Sequence, residues 1–109
     1  MNDELSIVNP GVTVLNGHIY VWFDRRKDGL VRHEVFFGKN RQLSIKYGLV
    51  IFIRPEDHNG ETHGIHCKSG HKFDEYIKAY AQRQAMKYYN WSISDFIEIF
   101  GKSYIGEYD

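Results

Sequence analysis

A chain of 109 residues, 42% of them hydrophobic and 16% aromatic, is long enough for one domain around one core and too apolar for a disordered segment. Fourteen basic residues balance fourteen acidic ones, which excludes a protein drawn onto nucleic acid by a global basic field, although a local patch is still allowed. The single cysteine, Cys67, excludes an internal disulfide framework and a cysteine-rich zinc knuckle.

The residues Met1 to Leu5 carry neither a positive region nor a long apolar run, so no secretory signal is expected. No apolar run approaches the roughly 18 residues of a membrane span. A cytoplasmic location is the expectation. Residues 1–17 read as an N-terminal extension, with turn signals at Asn9-Pro10-Gly11 and Asn16-Gly17 around a short strand, Val12 to Leu15. His18 to Asp24 is β-branched and aromatic and reads as a strand. Arg25-Arg26-Lys27-Asp28-Gly29 is a turn whose Asp-Gly pair predicts a hairpin with a returning strand, Leu30 to Phe37, ended by Gly38.

Lys39 to Tyr47 is a loop or a single helical turn. Gly48 to Ile53 is a continuous apolar run of strand length, buried on both faces. Arg54 to Ser69 is a long loop for so small a domain, and such loops usually carry function. From Gly70 or His71 to Tyr89 the spacing of Phe73, Ile77, Tyr80, Ala81, Gln84 and Tyr88 predicts a helix. Asn90-Trp91 breaks it. Ser92 with Asp95 predicts a capping box for a second helix, with Ile93, Phe96, Ile97 and Phe100 as its apolar stripe and Gly101 just past its end. Strands followed by helices make a single α+β domain over residues 1–109, with the strands and a His-rich loop in 18–69 and the helices in 70–109.

The chemistry is concentrated between Val31 and His66. This stretch holds His33, His58 and His66, the carboxylate of Glu34, and Asn40 and Asn59. Neutral imidazole nitrogens bind divalent ions, and an adjacent carboxylate can ligate or orient. His33 and Glu34 are consecutive, so an ideal strand sends them to opposite faces. A site of this composition suits Mg²⁺, Mn²⁺, Ni²⁺ or Zn²⁺ and metal-assisted hydrolysis. The plainer alternative is that these are loop and strand residues satisfied by local hydrogen bonds. Arg25, Arg26, Lys27, Arg32 and Arg41 crowd the same third of the chain and make a basic surface for DNA phosphates, or simply a solvated turn. Trp22, Tyr104 and Tyr108 are candidates for an exposed aromatic patch that would hold a protein partner or a second copy of the chain.

The strings Gly29-Leu30-Val31-Arg32-His33-Glu34-Val35-Phe36-Phe37-Gly38, Asn40-Arg41, Ser44 and Tyr47-Gly48-Leu49 resemble those of small prophage-encoded HNH-nuclease-like proteins. The resemblance continues through His58-Asn59, Gly64-Ile65-His66, the residues Asp74, Lys78 and Gln82, and Trp91-Ser92 to Tyr104. It implies a ββα-metal core and a metal-dependent DNA endonuclease or nickase of a bacterial host cell. His33 would be a metal ligand or the base, Glu34 would stand in the usual place of the general-base histidine, Asn40 would be the middle asparagine, and His58 and His66 would complete the ligands. Many relatives hold a structural zinc on two cysteine pairs. Val21, Asp24, Arg54 and Asp57 stand at those positions here, so no structural zinc is expected. The other expectation the resemblance allows is an inactive scaffold that binds DNA or a host or phage protein, as a recombination accessory or as an inhibitor of host defence of the anti-CRISPR kind.

Overall fold

Asn16 and Gly17 set the N-terminal architecture. In the computed structural model, which describes residues 6–106, both take positive φ (53° and 78°). A tight hairpin turn of the I′ kind needs that pair of left-handed conformations, and Asn-Gly supplies it at the lowest steric cost. Strands β1 (Gly11–Leu15) and β2 (His18–Trp22) therefore pair antiparallel, with Leu15 opposite His18 and Gly11 opposite Trp22. Alternation turns Tyr20 and Trp22 into the core and leaves Val12, Val14 and Ile19 on the outer face, 60%, 60% and 54% exposed. A Cβ at residue 11 would meet the Trp22 ring at 2.6 Å, so glycine is required there.

The hairpin expected across Asp28-Gly29 does not form. Strand β3 (Val31–Glu34) instead pairs antiparallel with β4 (Val50–Ile53), His33 lying opposite Ile51. Two turn signals competed for the strand at residues 18–22, and the one that leaves only two residues between apolar runs closes the shorter loop. The wholly buried β4 then serves as partner for β3. Phe23, just past β2, exchanges two 3.0 Å backbone hydrogen bonds with Phe52 and joins the two sheets. Residues 11–15 are thus part of the fold and not an appendage.

Residues 38–40 form a 3₁₀ turn leading into helix α1 (Arg41–Lys46). The expected loop after β4 contains a short helix, α2 (Pro55–Asn59), with Pro55 in its first turn beside Glu56 and Asp57. Proline there loses no hydrogen bond, and the two carboxylates face the positive end of the helix. A 3₁₀ turn at 68–70 leads into α3 (His71–Tyr89), which a left-handed Asn90 ends. Helix α4 (Ile93–Phe100) carries the expected capping box: Asp95 N–H donates to Ser92 Oγ (3.0 Å) and Ser92 N–H to Asp95 Oδ2 (2.9 Å). Gly101 closes it at φ 96°.

The inner face of α3 is Phe73, Ile77, Ala81 and Ala85, all fully buried, whereas Tyr88 is 66% exposed. Tyr88 falls on the same side by helical spacing but stands in the last turn of α3. Phe36, Phe96 and Phe100 pack together under Tyr104. The buried amide of Gln82 fastens the segment after α4, donating to Ser103 Oγ (2.9 Å) and accepting from Tyr104 N–H (2.6 Å). Trp22 does not belong to the aromatic patch expected at the surface. Trp22 is 1% exposed and donates its indole N–H to Asn9 O (2.9 Å), and Tyr104 is half-buried. Tyr108 lies outside the described residues. No helix among the described residues is long and apolar enough to cross a membrane.

Candidate metal centre

Each of the three histidines reaches the centre from a different element. His33 comes from the inner face of β3 and is 2% exposed. His58 comes from α2, and exposed His66 from the loop before the 3₁₀ turn at 68–70. Backbone bonds tie that loop to α2: Ile65 N–H donates to Asp57 O (2.6 Å) and His66 N–H to His58 O (3.4 Å). Helix α2 is anchored in turn by Asp57, fully buried, which accepts from His18 Nε2 (2.8 Å) and Arg54 Nε (2.9 Å). Neighbouring side chains on α2 therefore do different work. Asp57 fixes the helix and His58 faces the cluster.

One nitrogen from each of His33, His58 and His66 lies within 4.8 Å of the others. His58 Nε2 and His66 Nε2 are 3.2 Å apart. Two imidazole nitrogens on a tetrahedral ion stand about 3.3–3.4 Å apart, from bonds of about 2.0–2.1 Å. That pair is already at ligand spacing. His33 Nε2 and His58 Nδ1 are buried with no hydrogen-bond partner. Each such atom costs about 1–3 kcal/mol unless a ligand, ion or water satisfies it. The three residues are close enough to bind a metal ion, and the donor set fits one.

Electrostatics favour the ligand form of the rings. Burial first, then His66, His58 and Lys78, push the pKa of His33 well below the usual imidazole value. Burial and His66 lower that of His58, against a smaller opposing pull from Glu34. Both are therefore neutral near pH 7, as metal ligation requires. The same shifts predict how stability responds to acid. Below about pH 6.5 the unfolded chain takes up protons that folded His33 and His58 refuse, so stability falls as pH drops through that value. Each refused proton contributes a slope of up to about 1.4 kcal/mol per pH unit. Urea unfolding from pH 8 to pH 5, with chelator present, should show this decline, and His33→Leu should flatten it. Parallel pH profiles for the two proteins would count against the burial account.

Other expected site residues lie elsewhere. Arg32 and Glu34 leave β3 on the face opposite His33, with Arg32 Nε donating to Glu34 Oε2 (3.0 Å). Arg41 Nε stands 3.3 Å from the other carboxylate oxygen. With both oxygens on guanidinium groups, Glu34 does not join the three imidazoles, and Arg32 and Arg41 spend their charge on it. Strand alternation sets Glu34 apart from the His33 side chain, although its charge still reaches His58. Asn40 donates its amide to Phe100 O (3.0 Å), which caps the C-terminal end of α4. Among the described residues it makes no hydrogen bond to the imidazoles, so its visible role is to hold the corner between β3 and α1. Arg25, Arg26 and Lys27 are exposed at the turn before β3, where Arg26 covers Phe52 and Lys27 covers Phe23.

Two neighbours of the centre had no signal in the sequence. Phe37 packs its ring against His33 and His66 at centroid distances of 5.8 Å and 5.1 Å. Lys78 of α3 places Nζ 4.2 Å from the Phe37 centroid and 2.9 Å from Asp74 Oδ2. Both stand in the strings that carry the resemblance, yet nothing in those strings places them beside the histidines, and only the fold brings α3 to the segment after β3.

Searches against family models, characterised proteins and solved structures return no significant match. The functional reading therefore rests on the residues themselves.

Proposed function

We propose that the chain is a metal-dependent phosphodiesterase acting on DNA, an endonuclease or nickase with His33, His58 and His66 as its metal ligands. The observation that carries this is the convergence of three imidazoles on one point, with His33 Nε2 buried there and satisfied by no other group. An all-nitrogen donor set favours Zn²⁺ or Ni²⁺ over Mg²⁺, which prefers carboxylates and water. A divalent ion held by three protein ligands keeps open positions, where it lowers the pKa of a water and acts as Lewis acid toward a phosphoryl oxygen.

The chain's own residues add to that. Neutral imidazoles leave the ion's charge uncancelled, which suits an anionic phosphodiester. Phe37 and the buried side of His33 shut water out of one flank, and Arg25, Arg26 and Lys27 leave exposed cations to meet the phosphate backbone. On this reading the ion pair of Arg54 with Asp57 does the anchoring that a cysteine-bound zinc would perform in the HNH-like family the sequence resembles.

A plasmid-nicking assay across Zn²⁺, Ni²⁺, Mn²⁺ and Mg²⁺ tests the proposal. Cleavage should appear with Zn²⁺ or Ni²⁺ and fall at least about 100-fold in His33→Ala, because losing a ligand costs no less than the roughly 10–100-fold of losing a group that only supports one. Folded protein that binds metal yet cleaves nothing would contradict it. That result would favour the second reading, a binding scaffold, for which the specific observation is the apolar outer face of the β1–β2 hairpin. Val12 and Val14 of β1 and Ile19 of β2 there form an uncharged strip across the hairpin, a surface that commonly meets a protein partner.

A further inference from the structure

A cleft of about 520 Å³ runs between the first half of α3 and residues 102–106, lined by Asp74, Glu75, Lys78, Lys102, Ser103 and Tyr104 among others. It shares a wall with the metal centre, because Lys78 lines the cleft and its ammonium also sits over Phe37, the ring packed on His33 and His66. Lys78 and Lys102 offer positive charge, each with Nζ near the Tyr104 ring (5.7 Å and 5.0 Å). Asp74 offers the opposite. It is 8% exposed, spends Oδ2 on Lys78, and leaves Oδ1 buried without a partner. Asp74 itself lines the cleft, so its carboxylate sets an acceptor in the wall beside the two lysines.

A bare phosphate or sulfate fits this poorly. The lysines would attract it, but an acceptor oxygen at the same place repels an anion and needs an N–H or O–H. The ligand must carry both a negative group and a hydrogen-bond donor a few ångströms away, on a body sized for a cleft of a few hundred Å³. A nucleotide does. We propose that this cleft seats one nucleotide of a nucleic-acid strand, its phosphate on Lys78 and Lys102 and a donor of its base or sugar on Asp74. The ligand class rests on the phosphodiesterase reading, and the seat itself rests on the cleft. A strand running from the metal centre past Lys78 puts its next nucleotide here, and a base that enters a cleft has left the stack. The substrate is accordingly a strand with an unpaired nucleotide beside the scissile bond.

The test uses the full chain, ¹⁵N-labelled and with chelator present, titrated separately with inorganic phosphate, 5′-deoxynucleotides and 5′-ribonucleotides. Nucleotides should shift resonances of residues 71–78 and 102–106, and Lys102→Ala and Asp74→Asn should each weaken binding at least fivefold. Both mutants must keep the native spectrum elsewhere. Equal binding of the two sugars assigns the donor to the base or the 3′-hydroxyl, and binding of ribonucleotides alone assigns it to the 2′-hydroxyl. Phosphate shifting the same residues as strongly as nucleotides, or no shifts there with any probe, would overturn the proposal. Nucleotide binding in a protein that never nicks DNA would overturn the phosphodiesterase reading alone. Nicking without these shifts would overturn the cleft alone.

Discussion

His33→Ala lowers affinity for Zn²⁺ or Ni²⁺ by at least about 100-fold, measured by calorimetry with the native protein alongside. The size of the effect follows from where His33 sits. It is 2% exposed, so alanine leaves a hole that no other side chain on β3 can fill, because Arg32 and Glu34 face the other way. It is also the ring whose Nε2 has no partner, so the native protein forgoes no hydrogen bond at that atom when metal binds. His66→Ala should cost less, since His66 is exposed and water can take its place in the coordination shell. His33→Asn serves as the folding control, filling much of the cavity while removing the imidazole. Affinity in His33→Ala within a few-fold of native would place the metal elsewhere.

Trp22→Ala removes about 3–5 kcal/mol of stability, a large part of the roughly 5–15 kcal/mol that a domain of this kind has. The indole is 1% exposed and packs against Phe73, Tyr76 and Tyr80 of α3, at centroid distances of 5.9, 5.9 and 5.2 Å. Its N–H also holds Asn9 O at 2.9 Å, so the residues before β1 lose their tie to β2. Truncation thus opens a cavity where the N-terminal hairpin meets the long helix. Thermal unfolding should move down by on the order of 20 °C. A shift of only a few degrees would mean that the hairpin contributes little to the core. Val14→Thr on the outer face, by contrast, should change stability by less than about 0.5 kcal/mol in dilute protein, because that side chain is already in water.

The helices were legible in the sequence because their signals are local. Ser92 with Asp95, and Gly101 after Phe100, each specify one backbone conformation through one hydrogen bond or one φ. Strand pairing was not, since Asn16-Gly17 and Asp28-Gly29 both mark turns and the choice between them depends on which partner buries β3. That partner is β4, about 20 residues further on. Helix α2 had a signal that loop length obscured: Pro55 followed by two carboxylates is a helix start. Trp22 looked like a surface anchor because Ile19-Tyr20-Val21-Trp22-Phe23 is apolar at every position and carries no mark of which face of its strand turns inward.

The candidate centre shows the same division. Three histidines in one stretch were visible, and the fold brings all three together. Alternation along β3 warned that Glu34 would face away from His33, and it does. Asn40 sits in the expected segment, yet its amide is spent on Phe100, a contact across 60 positions of the chain. Lys78 and Phe37 join the centre only through the packing of α3 against β3 and its following loop. No residue spacing announces a contact of that kind.

Anomalous diffraction from crystals grown with Zn²⁺ is the measurement that tests the three-histidine centre most directly. The account predicts one strong peak about 2.0–2.2 Å from a nitrogen of each of His33, His58 and His66, with a non-protein ligand completing the shell. A peak on other residues, or none within bonding distance of His33 in crystals that hold the metal, would contradict it.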